Sequence, residues 1–295
     1  MLELNRFPQL PTEWLTGFRR AVDDGFRAFT REYGEAIELF FEPLRQFLIG
    51  SERLLIQSPW PLVFGGILLL AWLASRSWKI VVGTAVTLIA IGALGMWEDT
   101  MRTVSMIFVS TVVAILLGLP VGIAMSRSDR LQRAINPVLD IMQTMPSFVY
   151  LIPVVMLLGI GRVPGLLAVV IYAVPPIIRF TNLGIRLVDK DLLEAADAFG
   201  ASAWQRLRQV QLPLALPTIM GGVNQTIMMA LSMVVIASMI GVQGLGQPVL
   251  KAITNQYFTL GVLNGLAIVG IAIVFDRVSQ AYGKRLQKHL EVQHG

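Results

Sequence analysis

Seven runs of apolar residues, each close to the length that crosses a hydrocarbon layer, constrain this chain more than any other feature. They lie at about 59–75, 79–97, 103–125, 137–159, 164–182, 215–240 and 259–275. A crossing helix needs about 20 apolar residues, and no run carries charge at its centre, where lipid penalises it most. An open strand edge cannot satisfy its peptide groups in lipid, so the runs predict helices. The expected fold class is therefore an all-α integral membrane protein with about seven transmembrane helices. Pro120, Pro146, Pro153, Pro175 and Pro176 interrupt the runs, which is tolerated where neighbouring helices cover the freed carbonyls. Only 15% of residues are charged, against about 25% in a soluble domain.

Charge placement predicts orientation. Laid on alternate sides, the loops put fourteen Lys and Arg on one side (Arg76 and Lys79; Arg127, Arg130 and Arg133; Arg179, Arg186, Lys190, Arg206 and Arg208; Arg277, Lys284, Arg285 and Lys288) and three on the other (Arg102, Arg162 and Lys251). The richer side is expected to be cytoplasmic, which puts the N-terminus outside and the C-terminus inside a multi-pass protein of the inner (plasma) membrane. The basic groups then serve topology and contact with anionic lipid, and no nucleic-acid partner is expected.

Residues 1–57 differ in kind, with seven basic and nine acidic side chains and no signal-peptide pattern. Ile37, Phe40, Phe41, Leu44, Phe47 and Leu48 recur at spacings of three and four, with Glu38, Glu42, Arg45 and Gln46 opposite. This predicts an amphipathic helix, bent at Pro43 unless a new segment starts there. It suits both a helix in the membrane interface and one packed on the first spans, and it offers a scaffold or docking collar. The division expected is an outside extension over 1–57, two peripheral helices over 58–97, a core over 98–278 with a cytoplasmic loop at 183–213, and a basic tail over 279–295.

That loop, NLGIRLVDKDLLEAADAFGASAWQRLRQVQLPL from Asn182, is too long for a simple turn. Asp189 or Asp191 is expected to cap a helix through DKDLLEAADAF, and Gly200 to stop it in the left-handed conformation. AWQRLRQV is expected to form a second short helix that ends before Pro213. A helix–Gly–helix element of this kind suits a groove on another protein. Glu194, Ala195, Ala196, Gly200, Val210, Leu212 and Pro213, in this spacing, resemble the EAA loop of ABC importer permeases, with Val210 where that family most often has Ile. QTMPSFVYLIP (143–153), the stretch 211–241 and GVQGLGQPVL (241–250) look like the glycine betaine/proline betaine class, a resemblance that covers roughly 97–278.

The resemblance implies a type I importer permease core. Two permease copies would form the pore, cytoplasmic ATPase subunits would grip the loops at Glu194, Ala195, Ala196, Gly200, Leu212 and Pro213, and an extracytoplasmic binding protein would deliver the solute. ATP and Mg would be bound by the partner, since the chain has no GxxxxGK[ST] stretch. With no cysteine, two histidines (His289, His294) and no paired carboxylates, no catalytic, cofactor or metal residue is expected. GVQGLG (241–246) reads as a turn between the last two spans.

For a solute path, Asn224, Gln225, Thr226 and Ser232 stand in an apolar run, interleaved with Met228, Met229 and Met233. Asn224, Met228 and Ser232 recur at steps of four, and that face either lines the path or hydrogen-bonds between helices. Phe148, Tyr150, Tyr172, Tyr257 and Phe258 offer aromatic faces to a quaternary ammonium. Asp140 is expected to pair with Arg133 or to help form the inner mouth. The alternatives are the same importer class for choline, carnitine or trimethylamine N-oxide, an ion-coupled secondary transporter, and a membrane scaffold or receptor subunit with the amphipathic tail as its working part.

Overall fold

The structure, a computed structural model, describes residues 10–294, with side chains to 287; Lys288, His289 and His294 lie outside the described side chains. All seven apolar runs are helical, yet among the described residues only four helices are single rods long and apolar enough to cross a membrane. These are α4 (Trp97–Arg127), α7 (Arg162–Arg186), α9 (Ala203–Ile240) and α11 (Phe258–His294, crossing over Phe258–Gln287). Counting each bent pair as one span gives up to six. One such pair is α1 (Thr12–Gln57) with α2 (Trp60–Ser75), meeting at 111°; the other is α5 (Asp129–Thr144) with Ser147–Leu158, meeting at 110°. Within the latter, a 3-10 turn (Ser147–Tyr150) leads into α6 (Leu151–Leu158). The expected span at 137–159 is thus broken. Pro146, which cannot extend α5 and holds the residue before it extended, sets the corner. The expected span at 79–97 is the shorter α3 (Trp78–Ala93). The remaining helices are α8 (Lys190–Ala198) and α10 (Gly246–Asn255).

The interior is the three-helix contact of α4, α7 and α9, set by small residues. A Cβ on Gly118 would stand 2.3 Å from the Ile177 side chain, and one on Gly122 would stand 2.6 Å from Thr181 and 2.7 Å from the Ile178 carbonyl. Gly118 and Gly122 form a GxxxG pair, which lets backbones approach closely in a medium without a strong hydrophobic drive. On the other face of α7, Gly222 of α9 meets Phe180 in the same way. Pro120, Pro175 and Pro176 do not break these helices; Pro175 and Pro176 are themselves buried in the contact.

Two polar clusters mark the two ends of the bundle. At one end the Glu52 carboxylate, 14% exposed, lies 2.7 Å from Arg162 and 3.5 Å from Arg102, and Arg102 also pairs with Glu98. Arg162 donates to Gln243 at 2.6 Å, and Thr103 Oγ1 accepts the Leu245 N–H at 2.9 Å. Residues 241–245 therefore fold over the start of α4 and lead into α10, rather than making a simple turn. At the other end, Arg186 pairs with Asp129 at 2.7 Å and donates to Asn182 Oδ1 and to the Met125 carbonyl, each at 3.0 Å.

Helix α1 is unbroken through Pro43, so the expected bend is absent. Leu44, Leu48, Leu55 and Ile56 pack toward the core, and Phe47 lies 6.4 Å from Phe108 of α4. Substituting Gly122→Leu should overpack the α4–α7 crossing and cost about 1–3 kcal/mol, seen as a lower unfolding temperature of the detergent-solubilised protein. An unchanged temperature would show that the crossing can open at little expense.

Candidate coupling arm and open helix face

The stretch after α7 forms an arm held clear of the bundle. Asp189 caps α8, its side chain accepting the Asp191 N–H at 3.0 Å, while Val188 tucks into the protein. At the far end the Ala201 N–H donates to the Ala196 carbonyl at 3.0 Å and the Gly200 N–H to the Asp197 carbonyl at 2.9 Å. That pattern is a Schellman stop, and Gly200 holds the left-handed conformation it requires, with φ at 76°. The chain turns at once into a second cap. The Ser202 hydroxyl accepts the Gln205 N–H, and Gln205 Oε1 accepts the Ser202 N–H at 2.8 Å, a reciprocal capping box. Arg206 ties the two halves together through Asp197 at 2.5 Å.

The second half is not a separate short helix. It opens α9, which runs on through Pro213, because a π-helical stretch over Arg206–Gln211 absorbs the register change. Proline lacks an N–H, and a π-turn is one way of relieving the ladder ahead of it. Leu207, 1% exposed, anchors this stretch among Ile177, Ile185, Ala215 and Ile219, with Leu212 packed alongside.

Of the residues expected to form the coupling element, Glu194, Ala195, Ala196 and Gly200 stand together on the arm, with Glu194, Ala195 and Gly200 exposed and Ala196 half-buried. Val210, Leu212 and Pro213 lie at its half-buried base. Two exposed residues escaped the sequence reading: Phe199, 93% exposed, and Trp204, 62% exposed, flank the Gly200 turn. Large aromatics either side of a glycine in an otherwise polar loop were the available signal.

The polar residues of α9 separate. Asn224 turns to α11, where its Nδ2 donates to Asp276 at 3.1 Å and its Oδ1 accepts from Ser279 at 2.5 Å. Asp276, just beyond the last apolar run, is a partner that periodicity did not reveal. Gln225 and Ser232 are exposed, Met228 is half-buried and Thr226 is fully buried. A step of four overshoots a helical turn by about 40°, so Ser232 sits about 80° round from Asn224. The four-step series therefore does not share one environment.

The open face of α9 runs through Gly221, Gln225, Met228 and Ser232. The 3-10 turn that bears Phe148 packs beside α9, with Phe148 itself 53% exposed. Tyr150 is placed differently: 5% exposed, it donates to the Met142 carbonyl and packs edge-to-face on Tyr172 at 5.6 Å. Tyr257 and Phe258 remain exposed beside α10 and border a cavity of about 430 Å³. Asp140 pairs with Arg179 of α7 and not with Arg133, whose Nε is directed at the Asp129 carbonyl. Two helical turns separate 133 from 140, whereas α7 lies alongside. Among the described residues no cluster of His, Asp or Glu could hold a metal ion.

Residues 110–288 match the family described as "Binding-protein-dependent transport system inner membrane component". The chain is 51% identical over 242 residues to the glycine betaine/proline betaine transport system permease protein ProW of Escherichia coli (strain K12), a match covering 82% of this chain and 68% of that protein. It is 49% identical over 210 residues to the glycine betaine/carnitine transport permease protein GbuB of Listeria monocytogenes, covering 71% and 74% respectively. In fold it resembles a chain of the inward-facing MetNI methionine ABC transporter, with a TM-score of 0.58 and 22% identity over 65% of this chain and 95% of that one. A helical core of apolar spans with a displayed arm, matched over more than half its length by one family, places the chain among the inner-membrane permeases of binding-protein-dependent ABC transport systems, next to those of the betaine class.

Proposed function

We propose that this chain is the permease of an ATP-driven importer for glycine betaine or proline betaine, worked by cytoplasmic ATPase subunits that bind ATP and Mg. The observation that carries the reading is the α8–Gly200–Trp204 arm, stiffened by two interlocked caps and clamped to the bundle through Arg186, with its aromatic groups uncovered. Glu194, Ala195, Ala196 and Gly200 meet the ATPase groove, and Leu212 and Pro213 pass its movement into α9. The names of both relatives include glycine betaine, which favours that solute over choline or trimethylamine N-oxide.

The arm lies at the end that holds Arg127, Arg186 and Arg206, so this end is cytoplasmic by the excess of basic residues. The Glu52 cluster and the start of α1 are then outside, where a binding protein delivers solute. Two copies of the chain face each other across the open side of α9, and Gln225, Met228, Ser232 and Phe148 line the path between them. Asn224 holds α9 to α11 beside that path, and Tyr150 supports the wall behind Phe148.

Gly200→Val would force a β-branched residue into the left-handed region at about 1–3 kcal/mol. Uptake by the assembled importer should fall at least about tenfold while the permease still inserts and ATP is still hydrolysed without coupling. Normal uptake by this variant would sink the coupling role. Ser232→Leu and Gln225→Leu should slow uptake without loss of ATPase co-purification or thermal stability. Asn224→Leu, which strips Asp276 of a donor, should lower stability by about 1–3 kcal/mol. If all three variants behave alike in both assays, the division between path and packing on α9 is wrong.

A further inference from the structure

We propose that a phospholipid is held at the Glu52 end of the bundle, with one acyl chain between Trp60 and Trp97 and its phosphate at Arg53. The site has two parts. The first is an apolar cavity of about 470 Å³ between the α2–α3 hairpin and the start of α4, lined by Trp60, Phe64, Leu88, Ile89, Gly92, Ala93 and Trp97. Its depth reaches Leu88, 2% exposed, while Trp60 and Ile89 stand at the rim, 64% and 60% exposed. The second is a polar cavity of about 300 Å³ whose lining includes Glu52, Arg53, Gln57, Glu98, Arg102 and Arg162. Gln57 and Trp60 flank the α1–α2 corner, and Trp97 and Glu98 are consecutive, so the two linings come within a few residues of each other along the chain at that corner.

Charge complementarity selects the headgroup. Arg102 and Arg162 are engaged by Glu52, and Arg102 also by Glu98. Arg53 is exposed and makes no ion pair or hydrogen bond among the described residues, which leaves it for a phosphate. Continuity selects the tail. The rim residues Trp60 and Ile89 are exposed on a hairpin that also exposes Leu62, Leu69, Leu70 and Val86, in a chain of an inner-membrane family, so the hairpin faces acyl chains. A small polar solute would leave the aromatic walls unpartnered, and a hydrocarbon without a headgroup would leave Arg53 unused; an anionic amphiphile satisfies both. Helices α2 and α3 have 16 residues each, about 24 Å at 1.5 Å per residue. That falls short of the ~30 Å of hydrocarbon and draws the headgroup level down toward the corner.

Gly92 gives the test its handle, because a Cβ there meets only Trp97, at 3.7 Å, and a longer side chain grows into the cavity. The full chain, purified in mild detergent with phosphatidylglycerol and then exchanged into lipid-free detergent, is read by native mass spectrometry. One retained phosphatidylglycerol per chain is expected. Gly92→Leu should reduce occupancy about tenfold, the equivalent of excluding one buried aliphatic side chain, with Gly92→Ala between. Arg53→Gln should reduce it as well, and glycerophosphoglycerol, the same headgroup without chains, should not displace the lipid. Equal occupancy in the wild type and the Gly92 series would overturn the proposal. So would loss in Arg53→Gln alone or displacement by the bare headgroup, since either outcome marks a site for a soluble anion. Should Gly92→Leu fail to insert, Gly92→Ala and the surface substitution Arg53→Gln decide the matter by the same readings.

Discussion

The close approach of α4 and α7 at Gly118 and Gly122 underlies the arrangement of everything else. In lipid, apolar side chains gain little by leaving their surroundings, so helices stay together through tight van der Waals contact and a few polar links. With glycine at both positions the α7 backbone comes close enough for the Ile178 carbonyl to lie only 2.7 Å from where a Cβ on Gly122 would be. This contact brings Arg186 at the end of α7 within reach of the Met125 carbonyl and Asp129. The arm after α7 begins from that clamp. Its orientation is therefore inherited from the interior of the bundle and does not depend on the loop's own flexibility.

Much of this was legible because hydrocarbon leaves few choices. Each apolar run became helical, Asp189 and Gly200 sit where the capping rules put them, and residues 37–48 lie on an amphipathic helix. Several of the departures share a cause, which is that proline and glycine act through neighbours that a linear reading does not see. Pro120, Pro175 and Pro176 stay within helices as expected, and so does Pro43, where a bend was expected, whereas Pro146 turns a corner. Pro213 was absorbed by a π-turn that no propensity announces. The GxxxG pair at 118–122 was visible in the sequence, but only the α7 side chains lying across it give it meaning.

The polar residues of α9 show the limit most clearly. Spacing by four suggested one face for Asn224, Met228 and Ser232, and the helix turned that face by about 80° along its length. What each residue does was then decided by the partner opposite. Asn224 found Asp276 and Ser279 on α11, Thr226 was buried, and Ser232 was left open. A sequence shows that a helix carries polar groups in lipid; the packing of the other helices determines which of them is structural.

The exposed aromatics of the arm carry the argument one step further. Phe199 is among the most exposed large apolar residues of the described chain, at the tip of a turn otherwise built from capping residues. Leaving such a ring in water forgoes about 1.5–3 kcal/mol that burial would provide, and rigidity removes the option of folding it back. Trp204, on the other side of Gly200, repeats the condition. The arm is thus stiff where a flexible loop would suffice for a connection, and apolar where a connection would be polar. Both properties follow if a second protein completes it, because a preorganised surface loses little entropy on docking and the rings then become the buried centre of the contact.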